Sequence, residues 1–190
     1  MIRRLAAVLP ALVLAACPLP QSVPEYPDDQ AVTPPRIVTS SVSFPDAVVR
    51  VPAGCAIEPA LELAADLIDT NTVDAVEARW FVNYDAENQD RRRPQQATQV
   101  APDDDPLVIR REVPPFRLEP YDFASIAGTG GSALGAVHVV ELVVSNGFDP
   151  AGDLAEQPNR SALAGYETQV YRWVLLNVDE ASAAFPCPTE

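Results

Sequence analysis

CAIEPALELAADLIDTNTVDAVEARWFVNY, residues 55–84, is apolar at alternate positions over two separate runs. In the first run Cys55, Ile57, Pro59, Leu61, Leu63, Ala65 and Leu67 alternate with Glu58, Glu62 and Asp66. In the second, Val76, Ala78, Trp80, Val82 and Tyr84 alternate with Glu77, Arg79 and Asn83. A period of two gives each strand one buried and one wet face, where a helix would repeat near 3.6. Leu61–Ile68 is the best rival for a helix, but Pro59 and the alternating acids favour a strand.

The same period recurs on either side. His138, Val140, Leu142 and Val144 form a buried series within Gly135–Ser145. Gln169–Val178 is apolar on both faces, which leaves its register open. Weaker strands are expected at Ile37–Phe44, Ala47–Val51, Leu107–Glu112 and Phe116–Leu118. Roughly seven or eight short strands, with no convincing helix, indicate an all-β antiparallel sandwich.

A Cys-bearing second strand followed by Glu77-Ala78-Arg79-Trp80-Phe81 resembles the immunoglobulin-like arrangement with its tryptophan on the third strand. The stretch from His138 to Gly147 is similar to the penultimate strand and turn of polycystin-type extracellular modules. The resemblance implies an antiparallel immunoglobulin-like β-sandwich over residues 36–190, with two long loop insertions, Asp85–Pro106 and Gly147–Gly165. One departure matters. Cys187 follows the last strand, so a central bridge between the sheets is not implied.

The chain starts with the basic tetrapeptide Met1-Ile2-Arg3-Arg4 and an apolar run, Leu5–Ala16, interrupted by Pro10. That run is shorter than the ~20 residues a membrane-spanning helix needs and reads as an export signal. Leu14-Ala15-Ala16-Cys17 resembles the lipobox of bacterial lipoproteins. The resemblance implies removal of residues 1–16 and lipidation of Cys17 with fatty acyl chains such as palmitate. Two or three chains in one leaflet hold a protein durably. Pro18 stands where Asp would favour the inner membrane, so an outer-membrane location in the cell envelope, on its periplasmic or surface face, is expected.

Residues 17–35 form the tether, with six prolines among positions 18–35. Such a stretch is semi-extended and, at ~3.1 Å per residue, reaches up to about 55 Å. With Cys17 lipidated, Cys55 and Cys187 remain, and an even pair in an exported chain reads as a disulfide. Loss of Arg3 and Arg4 leaves 11 basic residues, all Arg, against 27 acidic ones, near −16. A field of that sign repels phosphate, so nucleic acid is excluded as a partner.

Chemistry is sparse. His138, the single histidine, sits in an apolar strand, where a hydrogen-bonded core role is the ordinary one. Gly128–Gly135 lacks the Lys-Ser/Thr ending of a phosphate loop. Asp66, Asp69, Asn71 and Asp74 put oxygen ligands on one turn, which suits calcium weakly and a solvated acidic turn better, and Asp103-Asp104-Asp105 reads the same way. Arg91, Arg92 and Arg93 could dock an acidic partner or balance nearby Asp side chains. Tyr171 and Trp173, on the two-faced strand, are further contact candidates, because apolar residues on both faces imply a cover. No cofactor and no catalytic set is expected. The expected function is a membrane-anchored envelope lipoprotein serving as a non-catalytic protein-binding or assembly module. The alternative is a carbohydrate- or small-ligand-binding module, with Trp173, Tyr171 and Tyr166 stacking sugars, and after it an envelope hydrolase using acids.

Overall fold

The computed structural model describes residues 33–46, 48–55, 60–88, 90–118, 133–149 and 160–189. Residues 1–16, Cys17 and most of the tether lie outside the described residues, as do 119–132 and 150–159. Among the described residues eight strands run in chain order: β1 (Arg36–Val38), β2 (Val49–Pro52), β3 (Leu61–Ile68), β4 (Val76–Val82), β5 (Gln96–Val100), β6 (Arg110–Leu118), β7 (Val137–Ser145) and β8 (Gln169–Val178). They form two sheets, β1-β3-β6 and β2-β8-β7-β4-β5. Every pairing is antiparallel except β2 with β8. The fold is an all-β sandwich.

Alternation puts Leu61, Leu63, Ala65 and Leu67 of β3 inside, facing Val76, Ala78, Trp80 and Val82 of β4 across the layer. Trp80 lies at the centre, stacked on Phe116 from the small sheet at 5.3 Å and on Trp173 at 5.4 Å. Aromatic side chains of this size bury ~150–250 Å² each and dominate a core this small. The Trp173 indole N–H donates to the Ser43 carbonyl at 2.7 Å, so its one polar atom is satisfied inside.

Four expectations need correction. The first strand ends at Val38 and not at Phe44: a 3₁₀ turn, Thr39–Ser41, follows it, and the chain then crosses from one sheet to the other. The Ser41 and Ser43 hydroxyls accept from Asp66 N and Ala64 N at 2.9 Å each, replacing ladder bonds while the crossing is made. Cys55 is not on β3; it follows β2. β2 and β8 run parallel and leave the sheet side by side at Pro52 and Val178, so the cysteines beyond them meet. The Cys55–Cys187 disulfide is formed, with Cα atoms 5.5 Å apart.

Leu107 is not in a strand but 86% exposed, and β6 runs unbroken from Arg110 to Leu118, through Pro114 and Pro115. Proline is tolerated there because β6 pairs only with β3 and the register shifts opposite Leu63/Ala65, a bulge that absorbs the extra residue. Finally, the first long insertion contains a strand, β5, with no apolar alternation. It is an edge strand on which only Val100 is buried.

The outer face of the larger sheet carries a second, smaller core. Phe81, Val143 and Phe148 are buried together with Tyr84 packed beside them. Phe148 arrives from the β7–β8 connection, which turns back through a Phe148–Ala162 bridge. This second core covers β4 and β7 and not the two-faced strand: on β8 Val170 is exposed and Val174 and Leu176 are half-buried.

Candidate functional site

One end of the sandwich gathers three loops, and a buried ion pair joins them. Asp69, the first residue after β3, is fully buried, and its carboxylate lies 3.2 Å from the Arg111 guanidinium on β6. The same carboxylate accepts from Asn71 N at 3.0 Å and from the Asn146 side-chain amide, beyond β7, at 3.0 Å. Arg111 donates onward to the carbonyls of Asp74 at 2.9 Å, Val100 at 3.3 Å and Asn71. A planar guanidinium with five donors can serve a carboxylate and several carbonyls at once. Asp69 N bonds the Ile109 carbonyl at 2.8 Å, fastening the β3–β4 loop to the β5–β6 loop directly.

Above this fixed base, apolar side chains stand in solvent. Val73 is 80% exposed, Leu107 86%, with Val108 and Ile109 partly exposed beside Leu107. Asx-type bonds hold both loop tips: Asn71 Oδ1 accepts from Val73 N at 3.1 Å, and Asp105 Oδ1 from Leu107 N at 2.9 Å. A shallow cleft of about 300 Å³ opens alongside, between β5 and β6, bordered by Gln99, Asp103, Arg110, Arg111, Glu112 and Pro114.

No family model, curated protein or solved structure matches this chain. Its chemistry rests on its own geometry.

The four residues considered for calcium do not form one cage. Asp66 faces Arg110 on the surface, Asp69 is committed to Arg111 and Asn146, and Asn71 bonds Asp74 at 2.9 Å. Among the described residues no group of three or more His, Cys, Asp or Glu is placed to hold a metal ion. For Asp69 an arginine occupies the place a cation would take. Trp173 is corrected as a contact residue: it is 1% exposed and part of the central aromatic stack. Tyr171 packs edge-on against it at 4.6 Å and is half-buried. Arg91 pairs with Asp85 at 3.1 Å within its own hairpin, and Arg93 is exposed. Tyr166 lies flat over Gly147, where an added Cβ would come within 2.8 Å of the ring.

His138 is fully buried, its Nδ1 3.0 Å from the Asn83 amide nitrogen. The amide donates, so Nδ1 accepts and the ring proton sits on Nε2. Asn83, at φ 48, also accepts from Val139 N at 2.8 Å, so the pair closes the end of β4 against β7. Glu141, on the outer face, binds both Arg160 and Arg172. Arg160 also lies 3.7 Å over the Tyr84 ring, and Arg79 3.9 Å over Phe148. These groups fasten the β7–β8 connection to the sheet. Sequence reasoning singled out neither Arg111 nor the Val73 and Leu107 tips. The one cue was Arg110-Arg111 opening a strand beside an acidic turn.

Proposed function

We propose that this chain is a membrane-anchored envelope lipoprotein whose sandwich acts as a non-catalytic protein-binding or assembly module. The observation that carries the reading is the loop end: exposed apolar tips, Val73 and Leu107, held on a base that the buried Asp69–Arg111 pair makes rigid. Recognition sites concentrate on loops that a rigid scaffold positions, because little ordering cost remains at binding. Val73 and Leu107, each exposed on a loop fastened to that base, are the apolar side chains such a surface would offer.

The finer fold reading is immunoglobulin-like. It is supported by the order β1-β3-β6 against β2-β8-β7-β4-β5 and by a buried tryptophan on β4. In that arrangement the β3–β4, β5–β6 and β7–β8 connections share one end, which is the end described here. Anchoring is supported by Leu14-Ala15-Ala16-Cys17 and the proline-rich stretch after it. A carbohydrate-binding role loses its principal stacking residue with Trp173 in the core.

The test pairs crosslinking in intact cells with Val73→Asp/Leu107→Asp. The unaltered chain captures one protein in fixed stoichiometry, and the double variant loses it with an unchanged melting temperature. Capture that ignores the substitutions contradicts the loop-end site. Glycan binding by the unaltered chain would favour the alternative.

A further inference from the structure

We propose that two copies of this chain pair edge to edge through β5, about a two-fold axis at Thr98. The proposal stands whether or not the chain is lipidated, and it uses a different surface from the loop tips.

β5 is the outermost strand of the five-stranded sheet, and among the described residues no strand pairs with its other edge. Unpaired edges invite association, and proteins blunt them with charge, proline, bulges or short length. The other edges here are blunted. β1 has three residues, β2 four with a terminal proline and its Arg50 carbonyl taken by Ala184 N, and β6 carries Pro114 and Pro115. β5, Gln-Ala-Thr-Gln-Val, has neither charge nor proline.

Its backbone is oriented for pairing. Donors and acceptors alternate between the two sides of an antiparallel strand. Asn83 N donates to the Val139 carbonyl and Gln95 N to the Trp80 carbonyl, each at 2.7 Å. Odd-numbered β4 residues therefore turn to β7 and even-numbered ones to β5. Gln96, Thr98 and Val100 stand opposite Trp80, Ala78 and Val76 and turn their backbone groups to the β4 side, where the Val100 carbonyl also accepts from Arg111. Ala97 and Gln99 present theirs outward, and both residues are exposed.

The flanking sequence selects the partner and the register. Residues 91–105 read RRRPQQATQVAPDDD. Pro94 and Pro102 lie four residues either side of Thr98, Arg93 and Asp103 five, Arg92 and Asp104 six, Arg91 and Asp105 seven. Antiparallel pairing centred on Thr98 sets Ala97 opposite Gln99 of the second copy, so their outward groups exchange hydrogen bonds. The same register brings the turn that carries Arg92 and Arg93 to the end of the paired strands where the turn with Asp103 and Asp104 of the other copy lies, twice by symmetry, while Arg91 keeps its own Asp85. Such self-complementarity is what an isologous two-fold interface requires. The prolines end the pairing at both sides. Each chain carries −14, but repulsion between distant charges is screened beyond ~8 Å at physiological salt, whereas the arginine turn of one copy and the aspartate turn of the other lie at the same end of the paired strands.

The full chain in mild detergent provides the test. With Thr98→Cys, the two thiols face each other across the axis within disulfide range, so oxidation yields a covalent dimer on a non-reducing gel. The parent chain supplies the background. In the same Thr98→Cys chain, Arg92→Glu/Arg93→Glu and Asp103→Arg/Asp104→Arg each oppose like charges and lower dimer yield at least about tenfold. Mixing the two variants restores a crosslinked heterodimer, which two misfolded chains cannot do. The proposal is overturned if Thr98→Cys gives no dimer above background, if either charge variant alone dimerises undiminished, or if the mixture stays monomeric.

Discussion

The two flanks of the sandwich are closed by different physics. On one, β2 lies parallel to β8, Cys187 is bonded to Cys55, and Ala184 N reaches back to the Arg50 carbonyl at 2.8 Å. The C-terminal tail thus covers that edge with covalent and hydrogen bonds. On the other flank, β5 and β6 sit in different sheets with no ladder between them. There the Arg111 guanidinium reaches from β6 to the Val100 carbonyl on β5 and to the turn after β3. One side is stapled against unfolding; the other is held by the buried Asp69–Arg111 ion pair and leaves the outer edge of β5 without a strand partner among the described residues. A fold that must present a surface gains from leaving one flank unsealed, provided that flank stays rigid.

Reduction of Cys55–Cys187, or Cys187→Ser, is expected to have the largest effect on stability. The bridge spans 132 positions, and chain-entropy models give a loop of that length roughly 4–5 kcal/mol as an upper figure. Urea unfolding of oxidised and reduced chain measures it. A change under about 1 kcal/mol would mean that the tail hydrogen bonds alone seal that flank.

Next comes Arg111→Met on the opposite flank. It strands the fully buried Asp69 carboxylate and the carbonyls of Asp74 and Val100, at a cost of about 3–5 kcal/mol. The paired variant Asp69→Asn/Arg111→Met should recover part of the loss, and a double-mutant cycle reads the coupling. Additive single effects would show that the pair does not join the loops.

Gly147→Ala lies on neither flank. Its Cβ would meet the Tyr166 ring at 2.8 Å, so about 1–3 kcal/mol of strain is expected, relieved in Gly147→Ala/Tyr166→Ala. The smallest effect belongs to the open edge itself. Gln99→Lys should change stability by less than about 0.5 kcal/mol while placing a charge on the exposed edge. A large destabilisation there would mean that β5 is not an edge.

The strands that make the core were legible in the sequence because each has one wet face: β3, β4 and β7 fall within a residue or two of their apolar alternation, apart from the leading segment at Cys55. β5 was not, since an edge strand buries almost nothing and Gln96–Val100 carries no periodic signal. Trp173 was misjudged because Gln169–Val178 is apolar on both faces, and only pairing with β2 and β7 fixes which residues point inward. The disulfide followed from counting, but its place depended on the parallel β2–β8 pair, a long-range fact that local pattern does not encode. The same applies to the loop end. Asp69 was noticed as an acid on a turn, whereas its partner Arg111 lies 42 positions away and becomes visible only when β6 pairs with β3.

The mass of the N-terminal peptide, taken from chain recovered in the membrane fraction, tests the functional reading most directly. A first residue of Cys17 carrying fatty acyl mass is the predicted result. A free Cys17 thiol, or a peptide that still continues into residues 1–16, would contradict it.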